Sequence, residues 1–383
     1  MSHREVVRLS APDGTVAGQL VQVGGMLFSS SISGRDPRTG AIDREPAGQV
    51  ETAFSNLRTL LGRAGARSDE LGLVTVCLAD ARHARLVEGP WNTLFADERN
   101  RPVRRINLYP LPDGELIQLQ VIGVGGRKRR PVEFPGVSDG PSQAVGVRMG
   151  DVAFSAPIDG RDPSSGRRSD DRKSQMRQAF RNMEAFVREA GGSKEDLIHV
   201  LIFIRGRDDQ KDMLDVWLEE FPVDGERPAR KAIFDETLEG ESRIIELLCV
   251  AVLGRGRRLD LEVPGIRKRH PNPMGCKVGN LVFSSGIGGD DPSGRAASNS
   301  ADVRAMFCLE NTRTLMEAAG GSLADVGLIA ITVNDYADEV AILRQWRRFF
   351  PDPADEPARH VMAYGGRGSY SVQFHVVAAL GDE

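Results

Sequence analysis

Three decapeptides constrain this chain more than anything else in it: FSSSISGRDP beginning at Phe28, FSAPIDGRDP at Phe154 and FSSGIGGDDP at Phe283. The steps from 28 to 154 and from 154 to 283 are offsets of 126 and 129 residues. The same two offsets relate Asn56, Asn182 and Asn311, then Trp91, Trp217 and Trp346, then Arg104, Arg230 and Arg359. Four landmarks in fixed order at constant offsets define an internal repeat, and its period is that of a complete small domain rather than a solenoid turn. The 383 residues divide into units of 1–128, 129–260 and 261–383.

Each unit reads alike. In unit 1, VAGQLVQVGG followed by MLFSSSI is two short apolar runs around Gly-Gly, which predicts a β-hairpin. The next segment, AGQVETAFSNLRTLLGRAG, places Val50, Phe54, Leu57 and Leu61 at helical spacing, with Gly65 where a helix terminator belongs. LGLVTVCLAD predicts a buried strand, ARHARLVEGPWNTLFADE a second helix despite Pro90, and RRINLYP and ELIQLQVIGV the closing strands. The order β-β-α-β-α-β-β leaves two helices to cover one face of a mixed sheet, an α+β unit. On the last strand Leu119 and Val121 point one way and Gln118 and Gln120 the other; unit 3 repeats this with Phe374 and Val376 against Gln373 and His375. Polar side chains on the uncovered face predict a wetter environment there, a cavity between domains around which three sheets pack.

Composition narrows the function. With 40% hydrophobic and 27% charged residues the chain is not of the disordered class. No uncharged apolar run approaches membrane length, and MSHREVVRLS is charged where a signal peptide is apolar, so the expected compartment is the cytoplasm. A net charge of -4 and 6% aromatics argue against a nucleic-acid partner, and the Arg-rich junctions, RKRR at 127–130 and GRGRR at 254–258, read as solvated linkers. The four cysteines have no CxxC spacing and are expected as reduced, mostly core thiols. No His or Cys pair falls at ligand spacing with a carboxylate, so no metal is expected.

With these residues in view, the chain resembles the YjgF/Rid family of reactive-intermediate imine and enamine deaminases. The resemblance rests on the G-x-x-x-F-S-S-G strand end, the D-P turn, the helix ending N-L-x-x-L-L-x-x-A-G, the W-R-R-F-F helix, the P-A-R tripeptide and the closing strand with its I-E. It covers all three units. It implies that the chain is a homotrimer of such domains fused into one polypeptide, packed around a central barrel with ligand clefts between domains. It also implies that no cofactor is needed, that the partner is a small substrate with a carboxylate, and that the product is a monomeric pseudo-trimer, with dimerisation of pseudo-trimers left open.

The resemblance also assigns roles. The arginine that holds the carboxylate falls on Arg104, Arg230 and Arg359; the early strand-end serine on Ser29, Ser155 and Ser284; the water-activating glutamate on Gln118, Glu246 and Gln373; and the helix asparagine on Glu88, Leu214 and Leu343. Unit 2 alone keeps both arginine and glutamate. The expected site therefore has Arg230 as anchor, Glu246 as general base and Ser155 as a hydrogen-bonding group. Arg104 and Arg359 are further binding candidates, and Gln118, Gln373, Glu88 and His375 further cleft residues. Each has a structural alternative: the arginines as bridges to interface carbonyls, Glu246 as an ion-pair partner, His375 as a satisfied core group. The expected activity is hydrolytic deamination of a small imino or enamino acid, of the 2-aminomuconate type or another specialised catabolic substrate. Two alternatives stay open: a cyclic-amide hydrolase or lyase, and a non-catalytic small-molecule-binding protein.

Overall fold

The computed structural model describes residues 4–112, 114–134, 145–235, 237–238, 242–266, 270–295, 298, 300–363 and 371–381. Unit 1 contains β1 (Glu5–Ser10), β2 (Val16–Val23), β3 (Met26–Ser29), β4 (Ile32–Ser33), α1 (Pro46–Arg63), β5 (Leu71–Leu78), α2 (Glu88–Leu94), β6 (Val103–Leu108) and β7 (Ile117–Val124). Unit 2 repeats it with β8 (Arg130–Val132), β9 (Gly146–Met149), β10 (Val152–Ser155), β11 (Ile158–Asp159), α3 (Arg172–Glu189), β12 (Leu197–Ile204), α4 (Gln210–Glu220), β13 (Ala229–Phe234) and β14 (Ile245–Val252). Unit 3 follows with β15 (Leu259–Leu261), β16 (Gly275–Val278), β17 (Leu281–Ser284), β18 (Ile287–Gly288), α5 (Ala301–Ala318), β19 (Val326–Val333), α6 (Glu339–Phe349), β20 (Ala358–Ala363) and β21 (Val372–Ala379).

Each unit forms a seven-stranded mixed sheet of identical order, β1-β2-β3-β7-β5-β6 in unit 1 with β4 on β7. The last pair, β5 with β6, is parallel and the other pairs are antiparallel. The predicted hairpin is present, with Gly24 and Gly25 at φ 52° and 77°, which suits its two-residue turn. Pro90 is tolerated because it sits in the first turn of α2, where its missing N–H has no helical acceptor. The sequence reading missed the first strand of each unit. Because β15 begins at Leu259 and joins the third sheet, the second junction lies just before residue 259, not after 260.

The helices cover one sheet face, where Phe54, Phe180 and Leu309 are fully buried on their long helices. The other faces of all three sheets converge on a shared core that includes Phe28, Phe154 and Phe283. These repeated phenylalanines are wedges between units. Phe154 of unit 2 lies where a Cβ on Gly72 of unit 1 would be, and Phe28 of unit 1 stands in the same relation to Gly327 of unit 3, which accounts for a glycine inside each of those strands. The repeated asparagines pin the Gly-Arg-Asp turns: Asn182 Nδ2 donates to the carbonyls of Asp159 and Arg161 (2.9 and 2.8 Å), and Asn56 and Asn311 do the same in their units.

The Arg-rich junctions are not solvated linkers throughout. Arg4, Arg129 and Arg258 each precede the first strand of a unit and are only 6–8% exposed. Each reaches back into the preceding unit in the cycle. Arg129 Nη1 donates to Leu71 O (2.7 Å) and Ser68 O, and its Nη2 to Asn100 O (2.7 Å). Arg258 bonds Leu197 O (2.6 Å) and Glu226 O, and Arg4 bonds Val326 O (3.0 Å) and pairs with Asp355. A guanidinium fork suits this geometry because its donors are fixed in one plane. Unit 1 thereby holds unit 3 through Arg4, and the three units close into a ring of contacts.

Candidate active site between units

In each unit the arginine of the repeated tripeptide lies on the edge strand, its guanidinium over the tryptophan of the neighbouring helix: Arg104 over Trp91 (4.8 Å), Arg230 over Trp217 (4.9 Å) and Arg359 over Trp346 (5.2 Å). The tryptophans are buried and serve as cation platforms. The edge strand abuts the strand end of the next unit. Arg230 N–H donates to Ser285 Oγ (3.0 Å), whose hydroxyl donates to Pro273 O (2.7 Å), and Ser31 N–H donates to Arg359 O (3.3 Å). Arg230 and Arg359 therefore stand at seams between two units.

The seams differ in charge. Arg104 pairs with Glu88 (3.0 Å), and Arg359 faces Glu339 (3.9 Å). Arg230 is 6% exposed and meets no carboxylate among the described residues; its Nη1 contacts only Met213 Sδ (3.4 Å). Burial, with Arg227 nearby, pushes its pKa down to about 10. The positions that carry Glu88 and Glu339 in the other units are Leu214 and Gln210 here. An uncompensated buried guanidinium calls for an anion.

Glu246 is not at this seam, which corrects the expected Arg230–Glu246 pair. Arg230 projects to the helix-covered face of its sheet, whereas Glu246, in step with Leu248 and Val250, projects to the inner face. There Glu246 forms ion pairs with Arg105 of unit 1 and with Arg243 (2.8 Å). Arg105 also binds Asp235 (2.6 Å). The physical reason is that an edge strand and a closing strand of one unit border different neighbours. Glu246 thus meets Arg105 across the unit 1–2 boundary, and the main chain of Arg230 meets Ser285 across the unit 2–3 boundary. The Gln373 amide fills the space a side chain on Gly286 would occupy, next to Ser285. Gln118 donates to Glu115 Oε2 (2.8 Å) near the third seam.

Ser155 is also reassigned. Its Oγ accepts from Cys249 N–H (2.8 Å), and Ser29 and Ser284 do the same for Val121 and Val376. All three stitch a strand end to the closing strand and are at most 1% exposed. The cleft serine is Ser285, one position later, a residue the sequence reading passed over. His375 faces the inner cavity, and its Nε2 has no hydrogen-bond partner among the described residues; burial holds its pKa well below the ordinary value. The four cysteines are buried and free.

The family model described as endoribonuclease L-PSP matches residues 16–111 and 139–253, more than half of the chain. The chain belongs to this family, the Rid family. Two Rid relatives are deaminases by name. The 3-aminoacrylate deaminase of Acinetobacter baylyi is 32% identical over 96 residues, 25% of this chain and 75% of the relative. The 2-iminobutanoate/2-iminopropanoate deaminase of Salmonella typhimurium is 30% identical over 90 residues, 23% of this chain and 70% of the relative. Among solved structures a chorismatase matches 82% of this chain and 94% of its own with TM-score 0.54 at 13% identity, a likeness of fold across all three Rid units. No helix among the described residues is long and apolar enough to cross a membrane.

Proposed function

We propose that this Rid protein is a hydrolytic deaminase of a small 2-imino or enamino acid, working at the seam between units 2 and 3. The observation that carries this reading is Arg230, the cleft arginine left without a carboxylate among the described residues while Arg104 and Arg359 face Glu88 and Glu339. A substrate carboxylate completes its charge through two parallel hydrogen bonds. The names of the two deaminases support the reaction class.

The chemistry asks little of the protein. Water adds to the C=N carbon of the protonated imine, one of its protons passes to nitrogen, and the carbinolamine collapses to an oxo acid and ammonia; an enamino acid first takes a proton on the carbon β to its nitrogen to become that iminium. Gln373 can accept a hydrogen bond from that water but cannot take its proton, so the substrate nitrogen or solvent receives it. Arg230 and Gln373 thus orient the reactants, and the electron sink is the iminium itself.

Ammonia release from 2-iminopropanoate and 3-aminoacrylate, generated in place, tests this. Arg230→Ala should lower kcat/KM about 100-fold, from the loss of roughly 3 kcal/mol of charge-assisted bonding. Glu246→Gln should stay within a few-fold of the parent. A loss with Arg104→Ala but not Arg230→Ala would move the reaction to the other seam. Binding of 2-keto acids without turnover of any imine would favour the non-catalytic alternative.

A further inference from the structure

The inner faces of the three sheets enclose a cavity of about 120 Å³, remote from the helix-covered faces that carry the cleft arginines. Its wall is mainly apolar, with Leu73 and Ile122 from unit 1, Phe154 and Leu248 from unit 2, and Phe283 and Met362 from unit 3. Against this wall stand a few polar groups. Lys231, 6% exposed, donates from Nζ to Thr332 Oγ1 (2.7 Å) across the unit 2–3 boundary and faces no carboxylate among the described residues. The His199 and His375 rings meet at a tilt with centroids 4.5 Å apart, and the Nε2 of each is buried with no partner among the described residues.

The nearby charges are otherwise accounted for. Arg105 and Arg243 are matched by Glu246 and Asp235. His360 is engaged by Ser31 Oγ (2.7 Å) and Tyr109 OH (3.0 Å). Among the described residues, what is left is one uncompensated ammonium, two imidazole nitrogens and the Asn107 Oδ1 in an apolar chamber. A buried polar group without a partner is costly, and a buried charge more so, which a ligand of matching chemistry relieves.

We propose that the central cavity is a second binding site, separate from the cleft, for a small monocarboxylate with a flat apolar body, held by Lys231 through its carboxylate and packed against the rings of His199 and His375. The Phe154 and Phe283 rings supply the apolar contact, and Phe283 already stacks on His199 at 5.7 Å. Burial pushes the Lys231 pKa down to about 8, which leaves the ammonium form dominant at neutral pH and available to an anion.

Benzoate is the probe, with benzamide as its uncharged isostere, and titration calorimetry the readout. The measurement uses the full chain carrying Arg230→Ala, so that the cleft arginine does not contribute. Benzoate should bind at one site per chain, at least tenfold more tightly than benzamide, and Lys231→Met should abolish the difference. Imine turnover should survive Lys231→Met in the otherwise unaltered chain, so failure of the cleft assignment and failure of this one are distinguishable. Equal binding of benzoate and benzamide, binding unchanged by Lys231→Met, or no binding at all would overturn the proposal. The benzoate and benzamide comparison needs no change at Lys231 and stands even if that variant folds poorly.

Discussion

Lys231 is the residue whose energetics are clearest. Its folded pKa of about 8 lies below the unfolded value near 10.4. Below pH 8 both states are charged and the folded state bears the full desolvation penalty, which fades as pH rises toward 10. Lys231→Met should therefore stabilise the protein at pH 7 by up to about 3 kcal/mol, with the gain shrinking between pH 8 and 10. Denaturant titrations at pH 7 and pH 10 check this. Asn182 behaves oppositely: Asn182→Ala strands the carbonyls of Asp159 and Arg161 and should destabilise by about 2 kcal/mol in the same assay. The asparagine was legible as a landmark because it recurs at constant offsets. Lys231 was not, because one lysine beside a repeated arginine carries no periodic signal.

Strands and helices were largely readable, since periodicity reports which face of an element is apolar. Periodicity also named the inner face of the closing strand, where Gln120 and His375 indeed line a cavity. The first strand of each unit escaped because three to six residues at a domain edge, with charged side chains, leave too short a pattern. The arginine before each of them escaped for a related reason: a run such as RKRR looks uniformly solvated, yet Arg129 alone turns inward onto three carbonyls. The spacings from Arg4 to Arg129 and from Arg129 to Arg258, 125 and 129 residues, fall within one residue of the repeat offsets and were the signal that could have found them. Arg129→Met should destabilise by about 3 kcal/mol or more and broaden the thermal transition as units 1 and 2 uncouple, seen by scanning calorimetry.

At the scale of the molecule, three buried histidines make stability depend on pH. Desolvation pushes His199 down to about 3, His360 to about 4 and His375 well below its ordinary value, all from an unfolded value near 6.5. Above pH 6.5 both states are neutral and nothing is lost. As pH falls below 6.5 the unfolded chain takes up protons that the folded chain refuses. Stability is therefore lost through the window from 6.5 toward 4, by about 2 kcal/mol per histidine at pH 5. Calorimetry at pH 7, 6 and 5 should show a falling Tm, and His199→Asn should flatten it; a constant Tm would contradict the neutral, buried assignment.

The repeat alone determined that this chain is three copies of one α+β unit, because offsets survive in a linear string and a period of about 126 residues has few folded solutions. Pattern within a unit then determined which residues are core and which strand face is polar. Only the tertiary structure decided which polar residues meet. Arg230 and Glu246 are neighbours in the sequence of unit 2, but they leave their sheet on opposite faces and border different partners. A site built from two units has no contiguous spacing to read. The charge that sets Arg230 apart is likewise a property of its neighbours, the absence of the carboxylates that Arg104 and Arg359 face.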